Sequence, residues 1–471
     1  MKKAGVLMPI ASLPSLHGIG DFGKTSYEFV DLIARTGFKI WQILPLNPLG
    51  YGNSPYQPYS SYAMDELYIS LELLKKAKLI KTIRAIDGKV DRIYYDKVRL
   101  YKKPYLEEAF SNFKADAAYA AFLQSNPWVE SYARFITLKK LNDNKCWNCW
   151  EKQTLTPEDE PHLAYERFIQ YMLYQQWQQL KKYANKKGIM IMGDIPFYVG
   201  LDSNDVYDNK ACFLLDKDNY PSFIAGVPPD YFSATGQRWG NPIYDWEYLQ
   251  QTDFKFWIER LSHTAKMFDI IRIDHFRAFD TYWKIKADCP TAIDGQWCEA
   301  PGYAFFDRLF EVCPDINIVV EDLGLLRDEV LILRDHYQFK GMHVIQFNFD
   351  PKNQTELPEN LIIYTGTHDN QTLRSWYAHS KASFKKHTQA FFKAHNYRYE
   401  LMNDNFIAYA LNSPCEYAII NFFDLLNKTD RYRINTPGTI GDPDWNPRIQ
   451  SYDAYKEVIS KYRRMIKKSE R

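Results

Sequence analysis

The sequence predicts an α/β fold, a (β/α)8 TIM barrel with large subdomain insertions in the loops that follow its strands. The first observation behind this prediction is a set of eight short apolar runs that end in polar or turn residues. Several runs are apolar at successive positions, as in Ile189-Met-Ile-Met192, which is typical of strands covered on both faces. The runs occupy residues 6–13, 40–46, 188–196, 269–276, 317–323, 341–349, 361–369 and 417–424.

The other two observations are the helical patterns between many of these runs and the length of the chain. Residues 26–36 and 254–268 carry apolar side chains at helical spacing, as the crossover helices of a barrel do. A barrel core takes about 250 residues, which leaves roughly 220 of the 471 residues for insertions.

The two longest gaps between runs locate these insertions at about residues 47–187 and 197–253. The first gap has helical stretches around residues 105–124 and 164–184, and the second is rich in loops over residues 200–245. Both follow the carboxyl ends of strands, where barrels build their active sites. We therefore predict a single catalytic barrel over residues 1–471, with subdomains that surround an active-site cleft.

Composition and charge exclude several classes of protein. Hydrophobic residues make up 46% and charged residues 25%, as in soluble globular proteins, and the net charge is +1. Neither nucleic-acid nor membrane binding is indicated, and no apolar run is long enough to span a bilayer. Aromatic residues reach 16%, and aromatic rings also stack on the C–H faces of sugars.

The seven cysteines are scattered, which is typical of free thiols in a reducing cytoplasm. The single Cys146-Trp-Asn-Cys149 motif lacks a second pair of zinc ligands, so we interpret it as two incidental thiols. Pro9 and Pro14 interrupt the apolar N-terminus, which does not resemble a secretory signal. We expect a cytoplasmic protein without a metal or other cofactor.

Carboxylates recur where the predicted strands end. Asp194, Asp274, Glu321 and Asp369 each close or follow one of the runs. One such Asp is commonly a structural cap, but an unpaired ionised acid at a buried strand end costs several kcal/mol. Four acids at one mouth therefore favour catalysis. An alternative is a divalent metal site, because hard cations also prefer carboxylate ligands.

Breaking a glycosidic bond needs this kind of chemistry. One carboxylate acts as nucleophile or base, and a second carboxyl group with a raised pKa protonates the leaving oxygen. The sequence has no Gly-x-Ser-x-Gly elbow, phosphate-binding loop or dinucleotide fingerprint that would supply another mechanism.

Long motifs along almost the whole chain carry a family resemblance. In the first half they are Gly18-Ile-Gly-Asp-Phe-Gly23, Trp41-Gln-Ile-Leu-Pro-Leu46, Ser54-Pro-Tyr-Gln57 and Gly193-Asp-Ile-Pro196. In the second half they are Gly226-Val-Pro-Pro-Asp-Tyr-Phe-Ser-Ala-Thr-Gly-Gln-Arg-Trp-Gly-Asn-Pro242, Arg272-Ile-Asp-His-Phe-Arg277, Glu321-Asp-Leu-Gly324 and Gly366-Thr-His-Asp-Asn370. These motifs resemble those of the amylomaltases, or 4-α-glucanotransferases, which are related to the α-amylase-type barrel glycosidases.

The resemblance implies a transfer of α-1,4-glucan segments between maltooligosaccharides by a retaining double displacement. It implies Asp274 as the nucleophile, Glu321 as the general acid/base and Asp369 as the acid that stabilises the transition state. The substrate-binding residues that it implies are Tyr56, Asp194, Tyr231, Phe232, Trp239, Arg272, His275 and His368. Tyr231, Phe232 and Trp239 fall in a loop that covers the cleft in this family.

The sequence also departs from the family pattern. Phe423-Asp424 stands where Gln-Asp is usual, and 444–448 replaces an Asn-Trp-x-Trp-Arg motif. Asp65-Glu66 and Ala278 replace Asn-Pro and Gly. Two alternative functions remain open: a retaining α-1,4-glucan hydrolase of the amylase type, and a glucan-binding protein without activity.

Overall fold

A sheet of eight parallel strands lies at the centre of the computed structural model, which describes residues 2–86, 90–229, 234–324, 326–353, 355–439 and 441–471. In these ranges the strands are β1 (Lys3–Leu7), β2 (Ile40–Gln42), β3 (Met190–Ile195), β4 (Phe223–Val227), β5 (Gln237–Pro242), β6 (Ile270–Ile273), β7 (Thr281–Lys286), β8 (Gly295–Glu299), β9 (Ile318–Val320), β10 (Gly341–Val344), β11 (Leu361–Tyr364) and β12 (Tyr417–Asn421).

The parallel strands follow the order β10-β11-β12-β1-β2-β3-β6-β9. Each of these eight strands therefore pairs with the strand that precedes or follows it in the sequence, and the last strand, β12, pairs with the first, β1. A parallel bridge between Val319 and Lys340 joins the two outer strands, β9 and β10. The Val320 N–H donates to the Lys340 carbonyl at 3.0 Å across the same seam. The predicted (β/α)8 barrel is therefore confirmed.

Each predicted apolar run overlaps one barrel strand, but every run extends beyond the end of its strand, as two of them illustrate. The first strand spans Lys3–Leu7 rather than 6–13, and it ends before Pro9, which has no N–H to donate to a ladder. The run 341–349 is a strand only to Val344, and a short helix follows it. An apolar run alone does not separate a buried strand from a buried helical turn, which explains this error.

The helices surround the barrel and fill the long insertion between β2 and β3. In the described residues they are α1 (Lys24–Thr36), α2 (Leu71–Lys76), α3 (Tyr95–Asn112), α4 (Ala117–Ser125), α5 (Trp128–Leu141), α6 (Glu160–Lys186), α7 (Asn204–Asp208), α8 (Trp246–Gln251), α9 (Lys255–Met267), α10 (Gly302–Val312), α11 (Asp328–His336), α12 (Ile345–Asn348), α13 (Leu373–His379), α14 (Ala382–Ala394), α15 (Met402–Asn412), α16 (Phe422–Leu425) and α17 (Asp453–Lys468).

The helices predicted at 26–36 and 254–268 are confirmed as α1 and α9. The predicted stretch 164–184 lies inside α6, but the stretch 105–124 is two helices rather than one. Asp116 separates them, because its side chain accepts from the Tyr119 N–H and starts a new helix, α4. None of the helices in the described ranges is long and apolar enough to span a bilayer.

A second, antiparallel sheet in the order β5-β4-β7-β8 was not predicted. Its β4–β5 hairpin occupies part of the stretch 200–245, which we predicted to be rich in loops. The hairpin strand β5 reads Gln-Arg-Trp-Gly-Asn-Pro and is half-exposed, so it lacks the apolar pattern of a barrel strand. Residues of β4 also pair with β7, about sixty positions later in the chain, and a local pattern does not reveal such a pairing.

Close packing surrounds β3, the strand that carries Asp194. A Cβ atom added to Gly193 would lie 2.2 Å from the Phe268 ring, so only glycine fits at this position. The fully buried Trp177 packs on the same Phe268 ring and donates its indole N–H to the Met267 carbonyl at 3.1 Å. This packing fixes the carboxyl end of β3, where the next residue is Asp194.

Candidate active site

The carboxyl ends of β6, β9 and β11 bring three acids to one cleft of about 310 Å³. Asp274 follows β6 directly, Glu321 follows β9 directly, and Asp369 lies in the loop between β11 and α13. In a parallel barrel these ends meet at one mouth. The other residues that line the cleft are Ser54, Tyr56, Gln57, Pro196, Phe197, Tyr198, Trp239, Asn241, Arg272, His275, Leu323 and Thr367.

The fourth acid, Asp194, lies beneath the cleft and contacts Arg272. The two residues face each other in the β3–β6 register. One terminal guanidinium nitrogen of Arg272 donates to both Asp194 oxygens at 2.7 and 2.8 Å, and to Asp274 Oδ1 at 3.0 Å. Asp194 and Arg272 are each only 3% exposed. Arg272 therefore places a buried positive charge directly behind Asp274.

Glu321 is held by two backbone N–H groups. The His275 N–H donates to Oε2 at 2.8 Å and the Leu323 N–H donates to Oε1 at 3.1 Å. Burial, followed by repulsion from Asp274, raises the pKa of the Glu321 carboxyl to about 7. Glu321 therefore holds its proton at pH values where an exposed glutamate is ionised.

Asp274 shares this buried environment but has a different partner. Burial raises the pKa of Asp274, and the positive charge of Arg272 opposes that rise most strongly. Because Arg272 donates directly to Asp274, we expect Asp274 to ionise before Glu321 does. The pair can thus consist of a carboxylate at Asp274 and a carboxylic acid at Glu321.

Asp369 and His368 lie side by side in the loop after β11. Asp369 Oδ1 accepts from the Asn435 amide at 2.6 Å and is 3.4 Å from His368 Nε2. Arg433 donates to the Asp369 backbone carbonyl at 2.6 Å, and the Asn435 N–H donates to the His368 carbonyl at 3.0 Å. The Asp369 side chain keeps 41% exposure, so it can contact a ligand in the cleft.

Tyr56 stacks on His368 at one side of the cleft. Their rings are 4.8 Å apart with an angle of 17° between the planes. The Tyr56 hydroxyl donates to Asp194 at 2.7 Å and lies 3.3 Å from His368 Nδ1. Trp445 packs against both rings, at 5.7 Å from Tyr56 and 5.8 Å from His368. These three rings form the Tyr56–His368–Trp445 stack, of which Tyr56 lines the cleft.

His275 and Trp239 form another wall of the cleft. Their rings meet edge to face at 4.9 Å, and Tyr198 lies 6.1 Å from each of them. Burial, and then the charge of Arg277, lowers the pKa of His275 to about 3. His275 is therefore a neutral imidazole at physiological pH and can donate a hydrogen bond without carrying a charge.

The structure brings most of the predicted site residues together. Tyr56, Trp239, Arg272, His275 and the three catalytic candidates line one cleft, and His368 stacks on Tyr56. Asp194 does not line that cleft, because Arg272 and Tyr56 cover its carboxylate. Tyr231 and Phe232 lie outside the described residues.

Sequence reasoning missed Arg433 and Asn435, which hold the Asp369 loop, and Trp445, which packs against Tyr56 and His368. All three belong to the irregular segment between α16 and α17, which has no strand or helix pattern. The one signal in the sequence was the 444–448 departure from the family motif.

The described residues contain no cluster of side chains that could hold a metal ion. In the ranges that the structure describes, no three His, Cys, Asp or Glu side chains are grouped as metal ligands would be. Cys146 and Cys149 are free thiols.

Comparison with known proteins identifies the family. A family model described as 4-alpha-glucanotransferase matches residues 8–453. The chain belongs to the 4-alpha-glucanotransferase family. Among curated 4-alpha-glucanotransferases it is 38% identical to the protein of Aquifex aeolicus, over 98% of each chain. It is 35% identical to that of Thermus thermophilus, over 99% of this chain and 98% of the relative.

Solved structures of this family have the same fold. An amylomaltase from Streptococcus agalactiae in complex with acarbose superimposes with a TM-score of 0.94 at 34% identity, and the match covers 100% of both chains. An amylomaltase from Corynebacterium glutamicum, 16% identical, gives a TM-score of 0.82 over 99% of this chain and 75% of that one. The second likeness concerns the fold alone.

Proposed function

We propose that this protein is a 4-α-glucanotransferase that transfers α-1,4-glucan segments between maltooligosaccharides by a retaining double displacement. The observation that carries the proposal is the pairing of Asp274 and Glu321 in one cleft. Arg272 contacts the first, and two backbone N–H groups hold the second, whose pKa is raised to about 7. A nucleophilic carboxylate and a protonated acid are what glycosidic bond cleavage requires.

In the first half-reaction, an Asp274 oxygen attacks C1 of the donor sugar and forms a covalent glycosyl-enzyme. The bond between C1 and the leaving oxygen breaks, and Glu321 gives its proton to that oxygen. In the second half-reaction, Glu321 takes the proton from the 4-hydroxyl of an acceptor glucan as this oxygen attacks C1. Asp274 then leaves as a carboxylate, and two inversions retain the α configuration.

Arg272 supports the nucleophile in both half-reactions. Its charge stabilises Asp274 as a carboxylate before attack and again when the glycosyl ester breaks. Asp194 is a second buried partner, which holds the guanidinium in place from the side away from the cleft. Direct binding of a glucose unit by Asp194 remains a prediction from the family resemblance.

Asp369 and His368 bind hydroxyls of the distorted donor sugar, and Tyr56 stacks on a sugar face. Asn435 and Arg433 support this role, because they fix the loop that carries both residues. His275 and Trp239 form the corresponding contacts at the other wall. Asp369 is the acid that stabilises the developing positive charge of the transition state.

The insertions at about 47–187 and 197–253 act as subdomains around the cleft. Ser54, Tyr56 and Gln57 come from the first, and Trp239 and Asn241 come from the second. Both therefore reach the site that the barrel strands provide. The seven free thiols support a cytoplasmic location for the protein.

Product analysis after incubation with maltotriose tests this function. A ladder of longer maltodextrins together with glucose is the expected result, because the glycosyl-enzyme passes its sugar to a second maltotriose. Glucose and maltose alone would instead indicate the hydrolase. Unchanged maltotriose would indicate a protein that only binds glucans.

The loop between β4 and β5 is expected to favour transfer over hydrolysis. It carries Tyr231 and Phe232, and Trp239 on the next strand lines the cleft. Aromatic rings that position an acceptor sugar raise its effective concentration relative to water. Changing Tyr231 or Phe232 to Ser should therefore lower the transfer rate more than the hydrolysis rate, with little change in melting temperature.

The matched control for this prediction is Tyr220→Ser, an exposed aromatic residue in the same insertion but not in the lining of the cleft. It should leave the ratio of transfer to hydrolysis unchanged. Parallel losses of both rates in the loop variants would mean that the aromatic side chains only pack the loop.

A further inference from the structure

The loop between β11 and α13, residues 365–372, carries two of the residues to which the proposed function gives roles, His368 and Asp369. Its backbone has no helix or strand of its own. Its position in the cleft therefore depends on the side chains that bind it, which include Arg433 and Asn435 at Asp369 and further groups at its two ends. Both ends of the loop contact one buried acid, Asp424, which lies in the short helix α16 directly after the last barrel strand, β12.

Asp424 accepts one hydrogen bond from each end of this loop. Its Oδ2 accepts from the Thr365 hydroxyl at 2.9 Å, where the loop leaves β11. Its Oδ1 accepts from the Leu373 N–H at 2.7 Å, where α13 begins. The Thr365 oxygen in turn accepts from the Asn421 N–H at 3.1 Å. One carboxylate thus joins two points that are eight residues apart in the chain.

The environment of Asp424 makes a general stabilising role hard to justify. The residue is 1% exposed, and in the described part of the chain no Lys or Arg side chain forms an ion pair with it. Burial, with nearby Asp430 adding to it, raises its pKa to about 7. A buried acid without a cation costs folding free energy, so a nonpolar residue would be favoured at this position if packing alone mattered.

We propose that Asp424 is a positioning residue for the transfer reaction, whose carboxylate fixes both ends of loop 365–372 and so holds His368 and Asp369 against the donor sugar. This inference rests on the proposed function. Asp424 does not touch the cleft, and it acts only through the loop. A misplacement of about 1 Å in such a loop can lower a rate by about 100-fold.

The test compares Asp424→Asn, Thr365→Val and Thr365→Ser with the wild-type enzyme in maltotriose transfer. In Asp424→Asn the side chain keeps its shape but has only one oxygen to accept from the Thr365 hydroxyl and the Leu373 N–H. Thr365→Val removes the hydroxyl that donates to Asp424, whereas Thr365→Ser keeps it. We expect kcat to fall by about 100-fold in the Asn and Val variants, with the KM for maltotriose within about threefold of wild type, because contacts made only in the transition state are lost. Thr365→Ser should retain most of the wild-type kcat.

Asp404→Asn is the matched control. Asp404 is also a buried acid, and its carboxylate accepts hydrogen bonds from Lys461 and from the Tyr462 hydroxyl. The same hydroxyl also donates to the backbone carbonyl of Leu425 in α16. It does not contact loop 365–372, so Asp404→Asn should lower the melting temperature but keep kcat at 25 °C.

The proposal is overturned if Asp424→Asn and Thr365→Val, like the control, lose only thermal stability. It is also overturned if Thr365→Ser loses as much kcat as Thr365→Val. If Asp424→Asn does not fold, the two Thr365 variants decide alone. Failure of the proposed function would appear separately, as the absence of a product ladder with the wild-type enzyme.

Discussion

Replacing Asp274 with Asn is expected to lower the transfer rate by at least about a thousandfold while the fold remains intact, since losses of this order are usual for a nucleophile. The amide has the shape of the carboxylate but is a far poorer nucleophile, so no glycosyl-enzyme forms and both half-reactions stop. Arg272 keeps Asp194 as its partner, which limits the effect on stability. Initial rates of maltotriose disproportionation measure the loss, and a thermal melt checks the fold.

Asp253→Asn is the control for this variant. Its side chain is 65% exposed, pairs with Arg308 and lies away from the cleft, so the rate should not change. A stricter test uses Asp274→Ala with α-maltosyl fluoride and azide. Azide should attack C1 from the side that Asp274 occupies, release fluoride and give the β-glycosyl azide. An Asn variant with more than a thousandth of the wild-type rate, or an α-azide product from the Ala variant, would contradict the assignment of Asp274.

Replacing Glu321 with Gln is expected to have the second largest effect. The amide cannot protonate the leaving oxygen of a glucan, and it cannot take a proton from the acceptor. Cleavage of maltotriose should fall by 10²-fold or more. A donor that needs no proton on its leaving group, such as α-maltosyl fluoride, should still form the glycosyl-enzyme. Equal losses with both donors would argue against an acid/base role for Glu321.

The wild-type pH profile follows from the same two groups. Glu321 acts first as an acid, so kcat/KM should fall as the pH rises through about 7 and its proton is lost. Asp274 must be ionised, so kcat/KM should also fall in acid, at a pH above the ordinary range of an aspartate because its pKa is raised. The alkaline limb should disappear with the fluoride donor in the Glu321→Gln variant. A persistent alkaline limb there would point to another group.

The sequence predicts the barrel well because its strands are buried on both faces. Short runs such as 188–196 therefore contain little but apolar residues before the acid at their end. The same geometry allowed the catalytic acids to be recognised in the sequence, because each of them follows a strand directly or within a few residues.

The supporting contacts could not be predicted in this way. Arg433 and Asn435 reach Asp369 from a segment without regular structure, about 65 positions further along the chain. Asp194 was predicted at the mouth, but its cross-strand partner Arg272 covers it, and only the β3–β6 register reveals that pairing. The β4–β5 hairpin also pairs with β7, and no local pattern encodes that pairing.

The Tyr56–His368–Trp445 stack has a consequence for synthesis of the protein on the ribosome. Its rings come from the first insertion, from the loop after β11 and from the segment before α17. A nascent chain emerges from its N-terminus onwards, so Trp445 leaves the exit tunnel after Tyr56 and His368. The ring stack beside the cleft therefore cannot form until the chain has been synthesised as far as Trp445, and Tyr56 waits for two partners that lie more than 300 residues further along.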